Sequence, residues 1–142
     1  MIDVEIEDPA WREALPDAEQ LALLSAEAAT AEGGLTILLT DDATVADLNQ
    51  RFRNKPGPTN VLSFPAPANP EHHLGDIALA YGVCAREAAE QGKTLAHHLQ
   101  HLVAHGVLHL VGYDHQTETE AEEMEALERR ILAGLDVPDP YA

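Results

Sequence analysis

Apolar and polar positions alternate from the start of the chain. Ile2, Val4 and Ile6 fall on one side and Asp3, Glu5 and Glu7 on the other, which predicts a half-buried strand stopped by Asp8-Pro9. From Asp17 to about Glu32 the period lengthens, with Leu21, Leu24 and Ala28 at helical spacing and Gly33-Gly34 closing the helix. Leu35 to Thr40 is a short apolar run, read as a buried strand; Thr40 or Asp41 then caps a helix with Val45, Leu48 and Phe52 on one face. Prolines crowd the segment from Lys55 to Pro70, and within it only Val61 to Phe64 reads as a strand. Gly75 to Ala80 alternates again as a fourth strand, and Ala85 to Gln91 reads as a helix ended by Gly92. Thr94 caps a long apolar helix that runs to about Val111 and is broken by Gly112. Glu120 to Leu132 is a last amphipathic helix with Met124, Leu127 and Ile131 facing inward. The expected class is α+β, a small mixed sheet of about four strands packed with about five helices in two or three layers.

Length and composition narrow this picture. With 142 residues, 45% of them apolar, and neither an internal repeat nor a separating linker, residues 1–142 are expected to form one domain around one core. Lys and Arg total 8 against 25 Asp and Glu, a formal charge of −17, which excludes nucleic-acid binding through broad electrostatic attraction. An anionic membrane surface would repel such a chain, and no run approaches the roughly 18–20 apolar residues of a membrane span. The acidic start lacks the basic region of a signal peptide, and Cys84 is the sole cysteine. A cytoplasmic protein without an internal disulfide is therefore expected.

Histidine changes the picture most. Six of the eight histidines lie between His97 and His115. His105 and His109 stand one helical turn apart, so their imidazoles are offset by about 40° around the helix and about 6 Å along it. Gly112 can take a left-handed conformation and turn the chain back so that His115 joins them. Three neutral imidazoles with one position left open make a catalytic zinc site on the long helix of the C-terminal half, whereas structural zinc sites are closed by four ligands. The spacing is that of the peptidase pattern H-E-x-x-H-x-x-G-x-x-H, but Gly106 stands where that pattern has its general base. This argues against a peptidase of that type. His101, one turn before His105, serves either behind the metal ligands or in helix packing. Asp114 either orients an imidazole or caps the turn, and His72 and His73 are expected to be exposed.

One cationic island interrupts the acidic chain. No Asp or Glu occurs between Asp47 and Glu71, where Arg51, Arg53 and Lys55 supply three of the eight cations. Such an island either holds a phosphate, for which arginine offers a planar bidentate fork, or is an exposed helix end whose cations oppose the C-terminal dipole.

The segment HGVLHLVGYDH (His105–His115) is similar at every fixed position to the H-G-x-L-H-L-x-G-Y-D-H signature of the YbeY family of bacterial metal-dependent endoribonucleases. LNQRFRNKPGPTNVLSFP, LGDIAL, EEMEALE and the terminal DPY also resemble that family, so the likeness covers nearly the whole chain. It implies an α+β fold and one Zn²⁺ per chain on His105, His109 and His115. Arg53 matches the family's arginine for RNA binding and catalysis, with Lys55 beside it in substrate binding. The implied activity is single-strand-specific RNA cleavage in maturation of the 16S rRNA 3′ terminus and in ribosome quality control. The implied partners are precursor rRNA and the ribosome or its small-subunit proteins, without DNA or membrane. Two alternatives remain at this level: a zinc hydrolase of peptides or small substrates, and a non-catalytic, zinc-stabilised ribosome-assembly factor. The chain departs from the family at Pro56, where an acidic residue usually follows the lysine.

Overall fold

The computed structural model describes residues 1–30 and 33–141. Strands β1 (Ile2–Ile6), β2 (Gly34–Thr40), β3 (Val61–Pro65) and β4 (His73–Ala80) form one sheet in the order β1-β2-β4-β3. β1, β2 and β4 run parallel and β3 lies antiparallel on β4, so the sheet is mixed, as the pattern predicts. Both edges are blunted: β1 exposes Asp3 and Glu5, and β3 ends on Pro65, which has no N–H to offer a further strand.

Six helices are described: α1 (Pro9–Ala14), α2 (Ala18–Ala29), α3 (Asp42–Arg53), α4 (Tyr81–Glu90), α5 (Leu95–Leu110) and α6 (Glu118–Ala133). The one beyond expectation is α1. Asp8-Pro9 does not merely stop a strand but starts this helix: the Asp8 carboxylate accepts the Ala10 N–H at 3.0 Å, and Pro9 occupies the first turn, where its missing N–H costs nothing. The helix delivers Trp11 into the core, its indole N–H donating to the Thr40 carbonyl at 3.0 Å. α2 ends at Ala29, and the expected end at Glu32 lies outside the described residues. α4 starts at Tyr81, directly off β4 and four residues before the expected Ala85.

Alternation along the strands sorts side chains into two cores. Leu35, Ile37, Leu39, Ile77 and Leu79 face α2 and α5 and form the large cluster with Ala22, Leu99, Val103 and Val107. Ala78, Ala80 and Leu62 face the other way, toward Val45 of α3 and Val83 of α4. The molecule is thus three-layered, with α6 laid against α5 through Leu132 and Ala104. Phe52 corrects the sequence reading of α3. Instead of burying beside Val45 it is 63% exposed, because the last turn of the helix leads out into the open proline-rich loop; its ring meets Phe64 edge-on at 5.6 Å and carries the Arg51 guanidinium 5.5 Å from its centroid. Asn49 is the buried residue of that turn, its side-chain N–H donating to the Gly57 carbonyl at 2.9 Å and folding the loop back on the helix.

One row of residues sets the position of α5. Val4, Ile37, Ile77 and Ser63 are register partners across the four strands. α5 crosses this row so closely that a β-carbon on Gly106 would sit 3.1 Å from Ile77 and 3.2 Å from the Ser63 hydroxyl. The Ser63 hydroxyl also donates to the Gly106 carbonyl at 3.2 Å. Glycine suits this close approach, and the position where the peptidase pattern has its glutamate faces the sheet.

Candidate metal centre and its cleft

α5 starts as the sequence indicates, the Thr94 hydroxyl accepting the His97 N–H at 3.1 Å. Leu99, Leu102, Val103, Val107 and Leu108 bury its sheet-facing side and leave His101, His105 and His109 as a half-buried file one turn apart. The helix ends in a Schellman motif: the Tyr113 N–H donates to the Leu108 carbonyl at 3.0 Å and the Gly112 N–H to the His109 carbonyl at 3.2 Å, with Gly112 at φ +107°. This reversal returns the chain to His115. The ring centroid of His105 lies 4.6 Å from that of His109 and 5.7 Å from that of His115, and His109 and His115 are 5.0 Å apart.

The three rings each present a nitrogen within 4.8 Å of the others. Nε2 of His105 and Nε2 of His109 face each other at 3.1 Å. Burial, and then the neighbouring His105 and His115, hold His109 below the ordinary histidine pKa, against opposing contributions from Asp114 and the Tyr113 backbone. A neutral donor set of three imidazoles suits a borderline divalent cation such as zinc, and the residues present therefore fit a metal.

The rings open onto a cleft of about 790 Å³. β3 contributes Val61, Ser63 and Pro65 to its wall, the α5 end contributes Tyr113 and Gln116 beyond the histidines, and Arg53 enters from the end of α3. Arg53 is exposed and has no ion pair among the described residues, whereas Arg51 pairs with Asp47 at 3.2 Å. The sequence-predicted residues thus separate. His105, His109, His115 and Arg53 share one cleft, while Lys55 is exposed on the loop and is not part of the cleft wall.

The remaining polar residues near the site take these places. The Asp114 carboxylate orients no imidazole; it accepts the His115 backbone N–H at 2.7 Å. His98, one turn below His101, is buried and bonded to Glu87 at 3.0 Å, and Glu87 in turn accepts the Asn60 side-chain N–H at 3.0 Å. Burial lowers the pKa of His98 despite that carboxylate. His72 is exposed, while His73 opens β4 and pairs with Asp76 at 3.2 Å. Cys84 is buried, which pushes its thiol pKa up and takes it out of the chemistry.

Sequence reasoning missed Glu128. On α6 the fully buried positions are Met124, Glu128 and Leu132, not Leu127 and Ile131, so a carboxylate with no exposed surface lies in the apolar stripe. It accepts from His101 Nε2 at 2.8 Å and from His105 Nδ1 at 3.1 Å, and the Tyr141 hydroxyl donates to it at 3.0–3.1 Å. Burial alone would raise the Glu128 pKa, but the hydrogen bonds and charge of the two histidines outweigh it and hold the group down at about 2. The i, i+4, i+8 spacing of Met124, Glu128 and Leu132 carried the signal, an acid in register with buried apolar residues.

A family model described as Endoribonuclease YbeY matches residues 3–136. The chain is 52% identical to a protein of Azorhizobium caulinodans named Endoribonuclease YbeY, over 99% of this chain and 96% of that one. It is also 52% identical to a protein of the same name from Paramagnetospirillum magneticum, over 99% and 94%. The solution structure of TM1509 from Thermotoga maritima shares the fold, with a TM-score of 0.60 at 23% identity over 99% of this chain and 98% of that one. No helix among the described residues is long and apolar enough to cross a membrane.

Proposed function

The chain belongs to the endoribonuclease YbeY family, and on that premise we propose that it is a zinc-dependent, single-strand-specific endoribonuclease acting in the cytoplasm on the 3′ end of precursor 16S rRNA and in ribosome quality control. The observation that carries this reading is the convergence of His105, His109 and His115 in one cleft with Arg53, which has no ion pair among the described residues. His105, His109 and His115 hold one zinc per chain. When bound, the ion supplies positive charge against the negative charge that builds on the phosphoryl oxygens during cleavage. Arg53 reaches the same cleft from the opposite wall, and its guanidinium grips two phosphate oxygens and orients the phosphodiester. Lys55 guides the flanking backbone along the exposed loop.

Three features favour RNA over a peptide. Gly106 stands where the peptidase pattern has its general-base glutamate, and a side chain there would point at Ile77 and Ser63. Among the described residues the Arg53 side chain has no carboxylate partner, whereas Arg51 pairs with Asp47. An exposed Tyr113 on the wall offers a flat face to an unstacked base. The few cations of the site select against duplex: a single strand can place one phosphate at Arg53 while the acidic remainder of the surface repels a stiff, densely charged helix.

The test is cleavage of matched single-stranded and duplex RNA by nuclease-free protein, with a chelator and then with zinc restored. Single-strand cutting that stops with chelator and returns with zinc is expected. Equal cutting of both RNAs, or cutting indifferent to chelator, overturns the reading, and metal binding without cleavage would favour the assembly-factor role.

A further inference from the structure

The two nitrogens of His105 face different neighbours: Nε2 looks toward His109, and Nδ1 lies 3.1 Å from Glu128. Glu128 is in turn held from the far side by the end of the chain. The Tyr141 hydroxyl donates to both of its oxygens, at 3.1 and 3.0 Å. Tyr141 is itself anchored: the Arg129 guanidinium lies 5.2 Å from its ring centroid, and its N–H donates to Asp139 at 2.8 Å. Arg129 grips both Asp139 oxygens at 3.1–3.2 Å, and Lys93 donates to the Pro140 carbonyl at 3.2 Å. A short terminal strap, fastened at three points, therefore ends on the carboxylate behind the metal-site histidine.

We infer that Glu128 and Tyr141 are positioning residues of the metal centre: Tyr141 locks the Glu128 carboxylate where it receives the Nδ1–H of His105 and so keeps the Nε2 lone pair of that ring aimed at the metal. This rests on the metal reading of the site given above. The hydrogen bond to Nδ1 does two things an unbraced imidazole could not. It selects the tautomer with the correct free nitrogen, and it stops the ring from rotating out of the site. Glu128 suits the task because it is an acceptor only, and a buried carboxylate needs several donors. His101, His105 and Tyr141 are those donors. His101, His105 and Glu128 could themselves be counted as a second metal-binding group. Their atoms already satisfy one another at 2.8–3.1 Å beneath Tyr141, so they serve as support and not as a second site.

The experiment uses the full chain, stripped of metal and titrated with zinc against a chromophoric chelator, in wild type, Glu128→Gln and Tyr141→Phe. Wild type is expected to bind one zinc. Affinity is expected to fall about 10- to 100-fold in Glu128→Gln and by about the lower figure in Tyr141→Phe. Tyr141→Phe keeps the ring under Arg129 and so tests the brace even if the buried glutamine prevents folding. Nitrogen chemical shifts of the His105 ring in metal-free protein should report an Nδ1–H tautomer in wild type and a mixture in Tyr141→Phe, a signature that mere loss of packing would not produce. With saturating zinc, kcat on single-stranded RNA should fall while KM holds. Wild-type affinity and tautomer in a folded Tyr141→Phe overturn the brace and leave the metal reading standing. Two zinc ions per wild-type chain overturn it in favour of a second site. No zinc on wild type overturns both.

Discussion

The two walls of the cleft are built in opposite ways. On the helical wall most functional side chains are half-buried or buried: His105 is bonded on both ring nitrogens, Glu128 has no exposed surface, and the exposed His115 ring rests against the rings of His105 and His109. On the other wall Arg53 projects from the last turn of α3 into an exposed stretch, residues 51–58, held chiefly by the Asn49–Gly57 hydrogen bond. A metal demands nitrogens fixed to within a few tenths of an ångström, so its wall is over-determined. On the proposed reading a flexible polymer enters, is gripped and leaves on this side, a task that suits an open and adjustable wall. Damage to the first wall should therefore cost metal and stability together, and damage to the second should cost turnover alone.

The largest break in that comparison is expected from His109→Ala. It removes a ligand from the centre of the triad and should abolish zinc binding and cleavage together, while lowering the melting temperature of zinc-loaded protein to that of the stripped form. Metal analysis with thermal unfolding reads both; full zinc stoichiometry in the variant would dissolve the assigned triad. Arg53→Ala should instead keep its zinc and its melting temperature while turnover falls about 10²- to 10³-fold. Arg53→Lys should not rescue it, since an ammonium keeps the charge but loses the fork. If both variants cleave at the wild-type rate, the arginine is a solvated helix end.

Gly106→Ala probes how tightly the helical wall is seated. The added methyl meets Ile77 and Ser63 at 3.1–3.2 Å, and the overpacking should cost about 1–3 kcal/mol, measurable by denaturant unfolding of stripped protein. An unchanged midpoint would mean that α5 is free to shift, contrary to the rigidity ascribed to it.

His98 gives that wall a pH dependence. Its folded-state pKa lies below the ordinary value of 6.5, so as pH falls through 6.5 the unfolded chain takes up a proton that folded His98 refuses. Stability is lost from that point down to the depressed folded pKa, with a slope of at most about 1.4 kcal/mol per pH unit. Denaturation of stripped wild type and His98→Gln between pH 7.5 and 5.5 should show a shallower slope in the variant; parallel slopes would assign the dependence to other groups.

The smallest effect is expected on the open wall, from salt. With Arg53 and Lys55 unpaired among the described residues and Arg51 partly neutralised by Asp47, the proposed reading has at most three phosphates engaged. RNA affinity should then drop by no more than about 20-fold between 50 and 200 mM salt, as the single-strand slope predicts, and by less where salt also screens the acidic surface. A steeper loss would reveal a larger cationic footprint.

The same contrast governs what the sequence discloses. The convergence of the three histidines is legible because its geometry is local: four residues along one helix and six around one glycine turn place all three rings. The strands are legible for the same reason, since alternation at Ile2–Ile6 and Gly75–Ala80, and short apolar runs between turn residues for the other two, are properties of neighbours. Glu128 and Tyr141 were not legible as site residues because their partners lie 23 and 13 positions away and only tertiary packing brings them together. Phe52 misled because helical spacing tells which side of a helix a residue occupies but not where the layer beneath it gives out. Asp8-Pro9 misled because the same dipeptide that ends a strand is also a good way to begin a helix.

The loop bearing His115 carries one more consequence. It runs from the Schellman turn at Gly112 to the capping box of α6, where Thr117 and Glu120 exchange hydrogen bonds at 3.1 and 3.2 Å. Only a few residues lie between two locked ends, so chain entropy for bringing the third imidazole home is surrendered during folding and not at the moment of ion capture. Arrival of the ion then requires no search by the loop. For the proposed centre, uptake should be a second-order encounter set by diffusion and water exchange, and differences among metals should appear mainly as differences in residence time.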